Sequence, residues 1–597
     1  MQRVVHFDLK GAPPKLFYFE QVLRCIQSWG VTGVLLEWED TFPYSGNLTH
    51  LGSESNSGGD GMYTMQEVQR ILALCNEIGL EVIQLVQTMG HMEFVLKHPC
   101  HEHLREYDRS PAIICPNKKE SKELVREMVM QVLAVQPDAK YFHIGADEVC
   151  HIAHCDDCRK RVQSTYPIDL WRIYLDYIRD LVLFIRDLRP NITILMWDDM
   201  IRVMTPEVLK EYRELSTIVQ LVVWNYDTRD TFGFPPAMWP MYRMHFPAVW
   251  AGSAFKGANG SSQMISPVSR YVNNQVAWVD EIRVAGAQVR FVGVVFTGWS
   301  RYDHFATLCE LLPTSLNSLA NCVKCFAVGT LVNYAELHRD NTLAIEQWPG
   351  HALADCVRRL AAVSDGGLRL GAGDLRMTWL NDWQLKTGFL NMFQVDNIEN
   401  FLHKLLDELK TQENIATKLL ALMFGPRTCS EWMQTHVETI GAGLMGVQHT
   451  IRCARRYDPM STEYAFGPST TELVPSGGHM ASTSEHKLSD TVPMDECARS
   501  TVEHVPSVVR EHSETISMDE CSPLMIEHKL STVEHVPPTV EHVPSTVEHV
   551  RSTVEPVPST VEHLPSATVL TDELASSKVE DTPSTAEHIP SKVGDVP

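Results

Sequence analysis

Eight short apolar runs, each followed by an amphipathic or turn-rich segment, fill the chain up to about residue 325 and constrain its fold more than any other feature. The runs are Val4–Leu9, Gly33–Trp38, Glu81–Gln87, Tyr141–Ile144, Ile192–Trp197, Val219–Trp224, Ala248–Ser253 and Val289–Thr297. Most lack polar alternation, as expected of parallel strands buried on both faces. The intervening segments carry helix signals. Thr64–Ile78 sets Met65, Val68, Ile71, Leu72, Cys75 and Ile78 on one face and stops at Gly79. Asp169–Leu188 ends before Pro190, and Thr205-Pro206-Glu207 reads as an N-cap followed by a first-turn proline. Ser266-Pro267 repeats that signal ahead of Val268–Ile282. Eight strand-then-helix units in one run predict the α/β class, as a (β/α)8 TIM barrel. The rival is an open doubly wound sheet. It is disfavoured because no Gly-x-Gly-x-x-Gly follows the first run, and Gly11-Ala12-Pro13-Pro14 is unsuited to cradling a dinucleotide phosphate.

The chain is too long, at 597 residues, for one compact core. Residues 1–340 are read as the barrel and 341–457 as a helical region packed on it, with Asn400–Leu422 and Cys429–Tyr457 as helices. Residues 458–597 are a low-complexity tail with degenerate STVEHVP repeats such as Ser531–Pro537. A proline in nearly every repeat excludes a continuous helix, and the sparse valines cannot offset ordering entropy, so the tail is expected to be disordered. A formal charge of −24 argues against nucleic acid and anionic membrane as partners. No apolar run approaches the roughly 20 residues that span a bilayer. The amino-terminal stretch meets Asp8 too early for a signal peptide, and the fifteen cysteines are scattered singly. Free thiols in the cytoplasm and nucleus are therefore expected. A homodimer suits a barrel with a helical appendage, although no surface stripe compels it.

Barrel enzymes build their sites where strands give way to loops. Here the fourth run leaves through Gly145 into two adjacent acids, Asp147 and Glu148. Neighbouring side chains on a strand point to opposite faces, so the pair converges only if the chain turns there. Two carboxylates in one apolar-walled site divide into an anion and a proton donor. The other run ends supply Glu37-Trp38-Glu39-Asp40, Gly90-His91-Met92-Glu93, Trp197-Asp198-Asp199, Trp224-Asn225-Tyr226-Asp227 and Trp299-Ser300-Arg301-Tyr302-Asp303. Indole rings stack on the apolar face of a pyranose while carboxylates and amides take its hydroxyls, so the set points to a carbohydrate pocket.

His143-Ile144-Gly145-Ala146-Asp147-Glu148 resembles the His-x-Gly-Gly/Ala-Asp-Glu motif of glycoside hydrolase family 20, the β-N-acetylhexosaminidases. Gln87-Thr88-Met89-Gly90-His91-Met92-Glu93-Phe94, Trp197-Asp198-Asp199 and Trp299 are similar to that family too. The resemblance implies exo-hydrolysis of terminal β-N-acetylhexosaminides on glycoconjugates or oligosaccharides, with retention and with no cofactor. The substrate's own acetamido oxygen attacks the anomeric carbon to give an oxazolinium ion. Asp147 orients the acetamido group and offsets its charge, and Glu148 is the general acid and base. This family is an exception to the carboxylate-separation rule. Tyr226 is the expected donor to the acetamido oxygen. Trp299 is expected as the floor of the sugar pocket, Trp197 and Trp224 as its walls, and His91, His143, Asp303 and Glu39 as polar contacts. Similarity to the intracellular branch of the family implies that N-acetylgalactosaminides are preferred over N-acetylglucosaminides.

One departure stands out. Secreted members end strand one with an arginine that grips the outer hydroxyls, whereas this chain has His6-Phe7-Asp8-Leu9-Lys10, leaving Asp8 or Lys10 to that task. Two other readings remain. A metal hydrolase would use His91, His143 and Asp147 as ligands but lacks a His-x-His pair on the first strand. A catalytically impaired barrel would act as a glycan-binding scaffold. Finally, Cys150-His151-x-x-His154-Cys155-x-x-Cys158 has the residue types of a zinc site, but all its ligands lie within nine residues. A second ligand pair at zinc-finger spacing is missing. Free loop thiols are the preferred reading, and no metal is assigned.

Overall fold

The computed structural model describes residues 1–52, 61–164, 170–328 and 347–457. Within them the eight expected strands form a closed parallel barrel. They are β1 (Gln2–Asp8), β2 (Gly33–Glu37), β3 (Glu81–Leu85), β4 (Tyr141–His143), β5 (Thr193–Trp197), β6 (Val219–Trp224), β7 (Ala248–Lys256) and β8 (Arg290–Gly298). Each pairs with its neighbour in sequence, and β8 returns to β1, from Gln2 opposite Gly293 to Val5 opposite Phe296. Alternate residues divide between two apolar layers. Val4, Leu35, Ile83, Leu195, Val222, Trp250 and Val295 fill the barrel interior, while Val5, Phe7, Val34, Leu36, Ile194 and Phe296 pack outward in the continuous core that also holds the helix faces. Burial on both sides is why the runs read as uninterrupted apolar stretches.

The helix signals hold with two differences. Met65–Glu77 starts at Thr64, whose side chain and that of Glu67 form a reciprocal cap, and it ends just before Gly79 at φ +74°. Leu170–Leu188 is helical, and Asp169 lies outside the described residues. The unit after β5 departs from expectation. Pro206–Leu209 is a single turn that passes into 3₁₀ geometry at Lys210–Thr217, with Tyr212 non-helical at φ −119° and ψ 38°. Tyr212 is buried and its hydroxyl bonds Asp176 Oδ1 at 2.9 Å on the neighbouring helix, a contact that competes with regular helix geometry. In Val268–Ala285 the residue at the cap is Pro267, because the Ser266 hydroxyl lies 2.7 Å from that of Ser315 instead.

Beyond the barrel, His351–Gly371, Met392–Met423 and Thr439–Arg455 pack on one another. The first was not legible as a separate helix, since Gly366 and Gly367 weaken its pattern. Gly366 sits under Leu405, whose Cδ2 would lie 2.9 Å from an added Cβ, so the glycine permits the close crossing. The end of Met392–Met423 and the next helix, Pro426–Trp432, grip the β1 and β8 ends of the barrel. The Lys15 N–H donates to the Met423 carbonyl (2.7 Å), Thr428 Oγ1 donates to the Gly11 carbonyl (2.9 Å), and Arg301 makes two 2.6 Å bonds to Glu431. Among the described residues no helix is long and apolar enough to cross a membrane. Cys25, Cys75, Cys100, Cys115, Cys155, Cys158, Cys309, Cys322, Cys325 and Cys356 are free thiols. The 458–597 tail lies outside the described residues.

Candidate active site

β4 is short because the chain turns abruptly after it. Gly145, Ala146 and Glu148 all have left-handed φ, at 63°, 67° and 50°. That conformation costs a residue with a Cβ about 1–2 kcal/mol. Several hydrogen bonds hold it in place. Tyr174 donates its hydroxyl to the Ala146 carbonyl (2.8 Å), and the Glu148 N–H donates to Asp199 Oδ2 (2.9 Å). Thr88 donates to the Ile144 carbonyl (2.6 Å), and the Trp197 N–H donates to that of Gly145 (3.2 Å). Two glycines permit the crowding. A Cβ on Gly145 would lie 1.9 Å from Gln87 Oε1, and one on Gly90 would lie 2.0 Å from the Asp147 carbonyl.

The turn brings the adjacent acids together. His91, itself at φ 53° after β3, sits with Nε2 3.4 Å from Asp147 Oδ2 and 3.4 Å from Glu148 Oε2. Burial alone would strip the His91 proton, but the two carboxylates outweigh burial and raise its pKa well above the usual histidine value. Asp147 is buried, with Oδ1 unpaired, while the Glu148 side chain is 29% exposed. One acid therefore faces the interior and the other the mouth. Asp199 accepts from Trp224 Nε1–H (3.3 Å) as well as from the Glu148 N–H, and burial beside Asp147 pushes its pKa up to about 7. Asp198 is occupied elsewhere, by Arg202 and by the Tyr242 hydroxyl at 2.8 Å.

Below the acids lies a polar and aromatic layer at the top of the barrel interior. His143 accepts the Gly145 N–H at Nδ1 (2.9 Å), and burial lowers its pKa to about 3, so it is neutral. Its ring lies 4.6 Å from that of Trp197, which is fully buried and 5.8 Å from Trp299. His6 meets Glu37 (2.9 Å), and Gln87 donates to the same carboxylate (3.1 Å). Burial would raise the Glu37 pKa, but Lys10, His6 and Gln87 hold it well below the usual carboxylate range. Trp224 and Tyr226 stack with centroids 5.2 Å apart, and Tyr226 lies 6.5 Å from Trp299. Burial, followed by the nearby Asp147 and Glu148 charges, raises the Tyr226 pKa and keeps it a phenol donor. Around this layer Asp147 Oδ1, Trp197 Nε1, His143 Nε2 and Gln87 Oε1 have no partner among the described residues. Buried polar atoms are otherwise nearly always paired. Such a set suits a ligand carrying both donors and acceptors.

Beside Trp299, Lys10 is buried just after β1, with Nζ 2.8 Å from Asp8, 3.7 Å from Glu39 and 5.4 Å above the Trp299 ring. His304 bridges Glu39 (2.8 Å) and Lys97 (2.8 Å). Asp303 uses Oδ1 to accept the N–H groups of Phe305 and Ala306, both at 2.8 Å, and so shapes this loop. The structure thus gathers His91, Asp147, Glu148, Tyr226, Trp224 and Trp299 at one end of the barrel, with His143 and Trp197 beneath. Among the described residues the ligand atoms of His91, His143 and Asp147 do not form a coordination group, which counts against the metal-hydrolase reading. Asp199, Glu37, Gln87, Lys97 and His304 were not assigned from sequence. Asp199, Glu37 and Gln87 lay in quoted segments, whereas His304 and Lys97 carried no local signal.

Comparisons with known proteins place the chain in a family. The profile for "Glycosyl hydrolase family 20, catalytic domain" matches residues 37–231. Human hexosaminidase D is 34% identical over 457 residues, covering 73% of this chain and 91% of the human protein. Bovine hexosaminidase D is 38% identical over 346 residues, covering 58% of this chain and 97% of the bovine protein. Among solved structures, a β-N-acetylhexosaminidase from Bacteroides fragilis aligns at 15% identity with a TM-score of 0.43, over 58% of this chain and 70% of that one.

Proposed function

The chain belongs to glycosyl hydrolase family 20, and from that premise we propose how its residues divide the work of a β-N-acetylhexosaminidase. As a glycosidase of this family it acts on glycans with terminal hexosamine. In the proposed reaction the acetamido oxygen of the substrate attacks the anomeric carbon as the glycosidic C–O bond breaks. Glu148 gives its proton to the departing oxygen. Asp147 accepts a hydrogen bond from the acetamido N–H and offsets the charge of the oxazolinium ion. Tyr226 donates to the acetamido oxygen. Water then loses a proton to Glu148 and attacks the same carbon, the ring opens, and two inversions give net retention. The sugar stacks on Trp299, with Trp224 beside it and Trp197 beneath, and its outer hydroxyls meet Lys10, Glu39 and Asp303. N-acetylgalactosaminides are the preferred substrates, with N-acetylglucosaminides accepted. The buried free thiols suit a reducing compartment, which supports cytoplasm and nucleus as the location.

One observation carries the reading: adjacent acids bent through left-handed backbone onto a single histidine, one buried with a free oxygen and the other open to solvent. Glu148→Gln tests it. With a poor leaving group kcat should fall by about 10²–10⁴, and with a dinitrophenyl leaving group, which needs no proton, by far less. Asp147→Asn should abolish sensitivity to a thiazoline mimic of the oxazolinium. Equal losses of Glu148→Gln on both leaving groups would refute the acid role. Absence of turnover of either N-acetylhexosaminide by the wild type would refute the whole reading.

A further inference from the structure

The cysteine motif after the acid pair is completed by residues that sequence spacing does not reveal. Cys155 and Cys158 converge with Cys115 and Glu106, the four ligand atoms all lying within 4.8 Å of one another. Glu106 and Cys115 come from the loop after β3, where Arg105–Tyr107 and Ser110–Ile114 form a two-stranded hairpin. Cys115 Sγ is 3.4 Å from Cys155 Sγ and 3.7 Å from Cys158 Sγ, and Cys158 Sγ is 3.1 Å from Glu106 Oε2. Four ligands at zinc–sulfur distance, about 2.3 Å, set tetrahedron edges of about 3.8 Å, shorter where an oxygen replaces a sulfur. A disulfide would need sulfurs about 2.05 Å apart and would leave one thiol and the acid over.

Two further features point the same way. Glu106 is fully buried, yet among the described residues it pairs with no lysine, arginine or histidine. Its carboxylate meets only thiols and the N–H groups of His154 (2.9 Å) and Cys155 (3.5 Å). A buried carboxylate without a counter-cation is costly. The sulfurs also have donors of the kind that stabilise thiolates. Asn117 Nδ2–H points at Cys158 Sγ (3.0 Å), and Arg161 fixes that amide through Asn117 Oδ1 (2.6 Å). The Cys158 N–H points at Cys155 Sγ (3.4 Å), which opens the helix Asp156–Gln163 as its N-cap. Hard oxygen-seeking cations do not suit three thiols, whereas zinc does.

We propose that Glu106, Cys115, Cys155 and Cys158 form a structural zinc site that ties the loop after β3 to the loop after β4. The hairpin is already stitched around His91, since the Ile114 N–H donates to the Met89 carbonyl (3.1 Å) and the Met92 N–H to that of Ala112 (2.9 Å). The metal therefore joins the segment carrying His91 to the segment carrying Asp147 and Glu148. All four ligand positions are filled by protein, so it takes no part in bond making. Each thiol that binds releases its proton to solvent.

The test uses the full chain purified under reducing conditions without a histidine tag. Elemental analysis should find close to one zinc per chain. Metal-depleted protein titrated with Co²⁺ should develop a thiolate-to-cobalt charge-transfer band and the visible bands of a tetrahedral ion. Zn²⁺ added to depleted protein should raise the melting midpoint by several degrees. Cys115→Ser should weaken the charge-transfer band by about one third, while Cys150→Ser leaves it unchanged. The cobalt spectrum of the wild type stands even where Cys115→Ser does not fold. Substoichiometric zinc with no cobalt band would overturn the site, as would a mass showing two hydrogens lost to a disulfide within the trio. These readouts need no turnover, so the site and the catalytic reading fail or stand separately.

Discussion

Tyr174→Phe isolates what holds the acid pair in place. The hydroxyl lies on the helix Leu170–Leu188, is fully buried, and makes a 2.8 Å bond to the carbonyl of Ala146. Ala146 and Glu148 each occupy left-handed backbone, together about 2–4 kcal/mol of strain. Against this stand the bonds from Tyr174, Asp199 and Trp197, together about 2.5–6 kcal/mol above about pH 7, where Asp199 is ionised and its charge-assisted bond from the Glu148 N–H is the largest. The margin is therefore small. Removing the hydroxyl without providing a donor leaves a buried carbonyl unpaired and costs about 1–3 kcal/mol. That is enough to shift the turn toward relaxed conformers by about 5- to 150-fold. Steady-state kinetics on an aryl N-acetylhexosaminide should show kcat falling within that range, while KM changes less than about threefold because the walls stand on β5, β6 and β8. Tyr177→Phe is the companion variant, since that hydroxyl meets Thr88 and not the turn itself. A kcat within about twofold of wild type alongside a lowered melting midpoint would refute the positional reasoning.

Three further outcomes are expected. Folding lifts the Asp199 pKa to about 7, from the unperturbed value near 3.9, so the native state binds that proton more tightly. Its stabilising effect is complete below about pH 3.9 and is lost as pH climbs through about 7, with a slope of at most about 1.4 kcal/mol per pH unit. Urea midpoints should therefore decline from pH 5 to 8, and Asp199→Asn, which keeps an acceptor for the Glu148 N–H, should flatten the decline. Gly79→Ala and Gly145→Ala pose the same backbone problem at φ +74° and +63° in different surroundings. The first opens onto free space and should cost about 1 kcal/mol in chemical denaturation. The second drives a methyl to 1.9 Å from Gln87 Oε1 and should cost about 1–3 kcal/mol more and depress kcat; equal costs would discount the close packing at β4. Lys10→Ala removes the ammonium beside Asp8, Glu39 and the Trp299 ring, so KM for both N-acetylhexosaminides should rise more than kcat falls. An unchanged KM would remove Lys10 from sugar recognition.

The barrel was legible because strands buried on both faces leave continuous apolar runs, and all eight runs became strands. The unit after β5 was not, because Tyr212 follows a contact to Asp176 that no local propensity encodes. In the site, Asp147 and Glu148 stood out by adjacency, and His91 by its place after β3. Asp199 was visible as a strand-end acid, yet its bond to the Glu148 N–H depends on the left-handed turn. His304 and Glu106 were illegible, since each gains meaning only from partners brought from other strands.

The seal between β8 and β1 also sets the timing of the fold. On a ribosome adding about 5–20 residues per second, roughly 15–60 s separate the emergence of β1 from that of Arg290, where β8 begins. Through that interval β1 and whichever strand has last emerged are unpaired parallel edges, the kind of surface on which chains associate with one another. The contacts to Met423, Thr428 and Glu431 arrive later still. Until Arg290 emerges the barrel cannot close, so a chain that stops before it keeps two unpaired parallel edges.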